Sequence, residues 1–277
     1  RRPSVNRPRR LLHLPLPSPR VPPHLLSEQR FQAGYQLSGE LRDLVRRVVG
    51  DGEVPYQLSV FASSLDAFHK LKEEGVEPDV VAGHSLGEYA AAYASGSLEL
   101  EDGARLVAER DRLMMEASTE NPGGMTAIIG VGAHVILEAV ETADGAVVAA
   151  NFNTPRQTVI SGEEGALADV TKRVGGKKRK LEVSGAFHSP FMQEASVRMD
   201  RLLAEVPLED PKIPIVSGID GAILARADDV RLALRDQMLL PVRWVAVVER
   251  FAALGVEEVL EAGGGTLVRM LRDFKDL

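Results

Sequence analysis

Residues 80–96 read VVAGHSLGEYAAAYASG, and the reading of this stretch decides the fold. Val80, Val81 and Ala82 make an apolar run suited to a buried strand. Gly83 and Gly87 flank Ser85 in a G-x-S-x-G pattern, and residues 88–94 are strong helix formers. A strand that becomes a helix within so few residues strains the backbone at the turn, and small neighbours let the two elements cross closely. The spacing therefore predicts a nucleophile elbow that presents the Ser85 hydroxyl above a sheet. The Leu86 N–H and the positive end of the following helix then point at the place where an acyl oxygen would become an oxyanion. G-x-S-x-G alone also fits a small-residue turn with no chemistry, so the rest of the chain has to decide.

The chain has 277 residues, 44% hydrophobic and 26% charged, enough for one large domain or a domain with a smaller one inserted. A net charge of −7 gives no overall attraction to nucleic acid or to an anionic membrane. With no cysteine, a disulfide framework, a thiolate nucleophile and cysteine-based zinc sites are excluded, which fits a cytoplasmic enzyme. No apolar run reaches the twenty or so residues of a membrane span. Residues 1–26 differ from the rest: they contain no acidic residue, and Arg1, Arg2, Arg7, Arg9, Arg10 and Arg20 are interleaved with prolines. Proline at this density opposes a regular helix or central strand, so a disordered arm is expected. An organelle transit segment is the alternative, which the same prolines disfavour because such segments need an amphipathic helix.

From residue 27 the pattern is globular. Leu58, Phe61, Leu65, Phe68 and Leu71 set a helical period over residues 57–74, and a second helix is expected over 100–117. Short strands at 125–131, 145–151, 157–161 and 178–183 alternate with helical runs at 133–142 and 164–174. That βαββαβ order predicts a ferredoxin-like insert, bounded at residues 125–187. Beyond it the pattern gives a helix over 191–206, a strand at 214–217 and helices over 230–254 broken at Pro241. A last strand is expected at 256–261, before a glycine turn.

Five motifs taken in order, GHSLGEYAAAYASG, LVAERDRLMMEAS, NFNTPRQTVISG, SGAFHSPFM and QMLLPVRW, resemble the malonyl-CoA:acyl carrier protein transacylases, the acyltransferase family of fatty acid and polyketide synthesis. The likeness spans residues 27–274. It implies an α/β fold, with an α/β-hydrolase-like large subdomain carrying the ferredoxin-like small one. It implies Ser85 as nucleophile, His188 as the base that takes and returns its proton, and Arg110 as the fork that holds the malonyl carboxylate, with Arg112 the residue most easily confused with it. Gln237 matches a glutamine that supports the site. His188 is expected to be oriented by backbone carbonyls of the loop at 216–220, where Gly218 replaces an asparagine common in the family. Phe187 beside His188 matches the form associated with malonyl over methyl-branched groups, a preference worth a few kcal/mol at most. No metal or tightly bound cofactor is implied; malonyl-CoA enters as substrate. The partner is acyl carrier protein, bound by a monomeric chain.

Two departures from the family carry expectations of their own. Members open with a strand and an F-P-G-Q-G-S-Q loop whose glutamine N–H completes the oxyanion hole. Counting back from Ser85, that loop falls at or just before Arg1, so reduced turnover of this chain is expected, by a hundredfold to a thousandfold for one lost donor. At 261–266, EAGGGT replaces a glycine-proline-glycine turn, with no expected effect on function. The run Lys177, Lys178, Arg179 and Lys180 stands out on an acidic chain: it could steer an acidic carrier protein, or be a solvated turn into a strand. Two other functions stay open at this point. One is a serine hydrolase using Ser85, His188 and an acid such as Asp220. The other is a domain that binds carrier protein without turnover.

Overall fold

The computed structural model describes residues 37–274, so the Arg/Pro-rich segment lies outside the described residues. Strand β1 (Val81–Ala82) pairs in parallel with β6 (Ile215–Val216), which in turn carries β7 (Ile223–Leu224) antiparallel. Side chains alternate across this small sheet. Val81 and Ile215 face a core built by α1 (Gly39–Val49), α2 (Tyr56–Glu73), α3 (Gly87–Ala94), α4 (Leu100–Glu120), α7 (Gln193–Glu205) and α8 (Ala227–Asp236). Ala82 and Val216 face the opposite layer, where Trp244, Val247 and Phe251 of α9 (Trp244–Leu254) pack with Phe274. The period seen in the sequence is the buried face: Leu58, Phe61 and Leu65 are all at or below 1% exposure.

The insert has the predicted order. Strand β2 (Gly124–Ile129), α5 (Ala133–Glu141), β3 (Val147–Thr154), β4 (Gln157–Gly162), α6 (Glu164–Arg173) and β5 (Lys177–Lys180) follow one another, and the sheet runs β3-β4-β2-β5, antiparallel throughout. This is a ferredoxin-like subdomain. Ile128, Ile136, Ile160, Leu167 and Val170 seal α5 and α6 onto one face, while Met125, Ala127, Ala150 and Val159 line the other, against which Phe187 packs. The two subdomains are stitched at the edge of β3: the Phe152 N–H donates to the Val242 carbonyl at 2.8 Å, and the Val242 N–H to Ala150 at 2.9 Å.

Two element expectations are corrected. Residues 256–261 form no strand, since no neighbouring strand among the described residues takes their backbone groups. Val256 and Val259 still pack against the α9 layer, and Glu261 instead receives the N–H groups of Thr266 and Val268 at the start of α10 (Thr266–Met270). The second correction concerns β5, which ends at Lys180, short of the expected residue 183: the register with β2 runs from Ile129↔Lys177 to Thr126↔Lys180, and beyond it the Leu181 N–H still donates to the Met125 carbonyl at 2.9 Å.

Candidate active site

Ser85 and His188 are the two non-glycine residues with positive φ among the described residues, at 53° and 55°. A left-handed backbone disfavours a residue with a Cβ by roughly 1–2 kcal/mol, so both must be held by their surroundings. At Ser85 the holding is done by Gly83, where a Cβ would lie 2.0 Å from the Gly87 carbonyl carbon. Gly87 has no such constraint; a Cβ there meets nothing within 4 Å. At His188, Gly185 lets the chain press onto α4, since its Cβ would come 2.0 Å from the Ser118 hydroxyl. The Ser189 hydroxyl then donates to the Ala186 carbonyl at 2.5 Å and closes the loop around His188.

The two strained residues meet. His188 Nε2 lies 2.8 Å from Ser85 Oγ, and His188 Nδ1 lies 2.7 Å from the Gln237 carbonyl. A carbonyl can only accept, so Nδ1 carries the proton and Nε2 is left as the acceptor for the serine hydroxyl. Burial, reinforced by the charge of Arg110, pushes His188 down to about 3, against the pull of the Gln237 carbonyl. The ring is neutral at physiological pH, in the tautomer a base requires.

The orienting carbonyl belongs to Gln237, at the C-terminal end of α8, not to the loop at 216–220. That loop serves a different neighbour: the Gly218 N–H donates to Glu88 at 2.7 Å. Asp220 receives the Ala222 N–H, and with His188 Nδ1 on the Gln237 carbonyl no acid among the described residues stands behind His188 as in a hydrolase triad.

Arg110, on α4, is 2% exposed and reaches Ser85 Oγ at 3.0 Å. Its guanidinium also donates to Gln57 and, at 3.0 Å, to Gln237 Oε1, and sits 5.9 Å from the Tyr89 ring centre. Among the described residues it pairs with no carboxylate, and its Nε is without a partner. Arg112 is the solvent-side residue of the pair, bound to Glu109 and Glu116. Phe187 is half-buried between the large core and the small sheet. Leu86 precedes the first hydrogen bond of the turn, which runs from the Gly87 N–H to the His84 carbonyl. The second glutamine at Arg110, Gln57, and the buried acid Glu88 were missed by sequence reasoning. In a sequence each reads as an ordinary polar residue in the first turn of a helix, and nothing marks the side it faces. His84 was missed too; it contacts Asn153 of β3 at 2.8 Å and so ties the elbow to the insert.

A Ser85–His188 pair completed by a backbone carbonyl, in an α/β fold with an inserted ferredoxin-like subdomain, is the arrangement of the acyltransferase fold. Residues 39–254 match the acyl transferase domain family, and the chain belongs to that family. The malonyl CoA-acyl carrier protein transacylase of Escherichia coli strain K12 is 38% identical over 219 residues, covering 76% of this chain and 71% of that protein. The solved malonyl-CoA:acyl carrier protein transacylase of Streptococcus pneumoniae superposes with a TM-score of 0.80 at 32% identity, covering 87% and 86% of the two chains. A malonyl-transacylase solved in complex with a type II polyketide synthase acyl-carrier protein gives 0.80 at 30% identity, covering 85% and 84%.

Proposed function

We propose that this protein transfers a malonyl group from malonyl-CoA to the phosphopantetheine thiol of acyl carrier protein, through a malonyl ester on Ser85. One observation carries the reading. Arg110 is a buried guanidinium with no carboxylate partner among the described residues, and it stands at hydrogen-bond distance from the nucleophile. Such a group favours an anion, and an acyl chain ending in a carboxylate supplies one at the correct place.

In the first half-reaction Ser85 Oγ attacks the thioester carbonyl while its proton passes to His188 Nε2. The Leu86 N–H and the start of α3 face the oxyanion. Collapse of the tetrahedral intermediate breaks the C–S bond, and the proton goes from His188 to the leaving CoA thiolate. The second half-reaction runs the same steps in reverse, with the carrier-protein thiol as nucleophile and Ser85 leaving. Burial is the main cause of the low basicity of His188, and a malonyl carboxylate bound on Arg110 would offset the smaller contribution of that charge. Phe187, the residue before His188, is read here as the side chain that disfavours an α-methyl group on the acyl chain.

Carrier protein docks, in this reading, on the edge strand β5. All four residues Lys177–Lys180 are exposed. Lys178 and Lys180 turn toward the helical face, bonding the Val174 carbonyl and Glu164. Lys177 and Arg179 lie opposite Ile129 and Ala127 and leave their charges for a partner. In this reading the protein acts as a monomer in the cytoplasm. No described helix is long and apolar enough to cross a membrane.

The test is Arg110→Ala, measured with malonyl-CoA and with acetyl-CoA. Malonyl transfer is expected to fall by about two orders of magnitude, as for loss of a buried charge partner. Acetyl transfer is expected to fall far less. Equal losses for both acyl groups would reject Arg110 as the carboxylate receptor.

A further inference from the structure

Glu88 sits in the elbow helix at 4% exposure; its backbone N–H donates to the Ser85 carbonyl at 3.0 Å, while its side chain bonds neither Ser85 Oγ nor the His188 ring. One of its oxygens accepts the Gly218 N–H at 2.7 Å and the other accepts Gln237 Nε2 at 2.9 Å. Burial pushes its carboxyl up to about 8, against the Gly218 N–H and the charge of Arg110. Both contacts use an oxygen as an acceptor, and each carboxyl oxygen has a lone pair for this role.

Gln237 lies between this acceptor and Arg110, a group that can only donate. A primary amide in that position has one satisfactory orientation: its NH2 toward the acceptor oxygen of Glu88, its carbonyl oxygen toward the guanidinium. The reverse would set NH2 against the Arg110 N–H groups and oxygen against oxygen. We infer that Glu88 is a positioning residue, which fixes the side-chain amide of Gln237 so that its oxygen aims Arg110 at the acyl carboxylate. The elbow helix thus presents the nucleophile and, one turn later, sets the polarity of the network that receives the other end of the substrate. The assignment of substrate in this inference rests on the malonyl-transfer reading.

Glu88→Gln tests it. The new amide keeps its oxygen on the Gly218 N–H and turns its NH2 to Gln237, which must flip and present its own NH2 to Arg110. The expected result is a rise of about ten- to a hundredfold in KM for malonyl-CoA, with a smaller change in kcat, because the lost interaction serves ground state and transition state alike. In a Gln237→Leu background the same substitution is expected to add little, since it acts through that amide. An equal loss in both backgrounds, or a loss confined to kcat, would overturn the inference. A neutron structure of the unliganded wild type tests the orientation without substrate and without a variant that has to fold. Deuterons of the Gln237 amide facing Glu88 support the inference, and deuterons facing Arg110 reject it. Absence of a malonyl adduct on wild-type Ser85 would count against the functional reading and leave the amide orientation to the neutron result.

Discussion

Ser85 and His188 are tied together by a hydrogen bond and by a shared left-handed backbone, and the histidine titrates far below its ordinary range. Between about pH 6.5 and 3 the unfolded chain binds a proton at this position that the folded chain refuses, so the contribution of His188 to stability falls as pH drops through that window. Glu88, raised to about 8, acts with the opposite sign: its contribution falls as pH rises from its unfolded value toward 8. Comparison of wild type with His188→Gln isolates the histidine. Urea unfolding between pH 7 and 4 is expected to show wild type losing stability relative to the variant, and parallel curves would contradict a neutral buried His188. Ser85, His188, Arg110 and Gln237 were all legible, because each stands in a motif with its own spacing. Their connection was less so. The carbonyl behind His188 comes from residue 237, and a backbone contact leaves no mark on side-chain identity. Glu88 and Gln57 were invisible for a similar reason: the first turn of a helix accepts polar residues on any face.

The elbow gives the sharpest contrast at the scale of the element. The G-x-S-x-G pattern treats its glycines alike, while the packing does not. Gly83→Ala would drive a Cβ into the backbone of Gly87 and Glu88, and is expected to cost about 1–3 kcal/mol or more and to abolish activity by moving Ser85. Gly87→Ala meets open space at a helical position and is expected to leave stability unchanged or to raise it by up to about 1 kcal/mol. Thermal unfolding of the two variants checks both, and similar losses would mean that strand and helix do not cross as closely as described. The insert was readable because period-2 strands and period-3.6 helices alternate in it and each buries one face. Residues 256–261 have the same apolar look, but strand formation depends on a neighbour, which a local pattern does not reveal.

On the scale of the molecule, the site is assembled where two subdomains meet. The large one supplies Ser85, Arg110 and Gln237, and the small one reaches in with Asn153 and packs against Phe187. The basic strand lies on the outer edge of that small sheet, on an otherwise acidic chain. Its location was legible as a charge run, while the division of its four residues between two faces needed the ladder register. Reversal of charge at Lys177 and Arg179 is expected to raise the KM for carrier protein several-fold at low ionic strength, with little effect near 1 M salt, where the screening length falls to about 3 Å. An unchanged KM at low salt would remove β5 as the docking edge.

The most direct test of the central claim is the intact mass of the protein after brief exposure to malonyl-CoA, compared with Ser85→Ala. One malonyl adduct is expected on wild type and none on the variant, with carrier protein bearing a free phosphopantetheine thiol discharging the adduct. An adduct that survives Ser85→Ala, or a folded wild type that takes none, would contradict the claim.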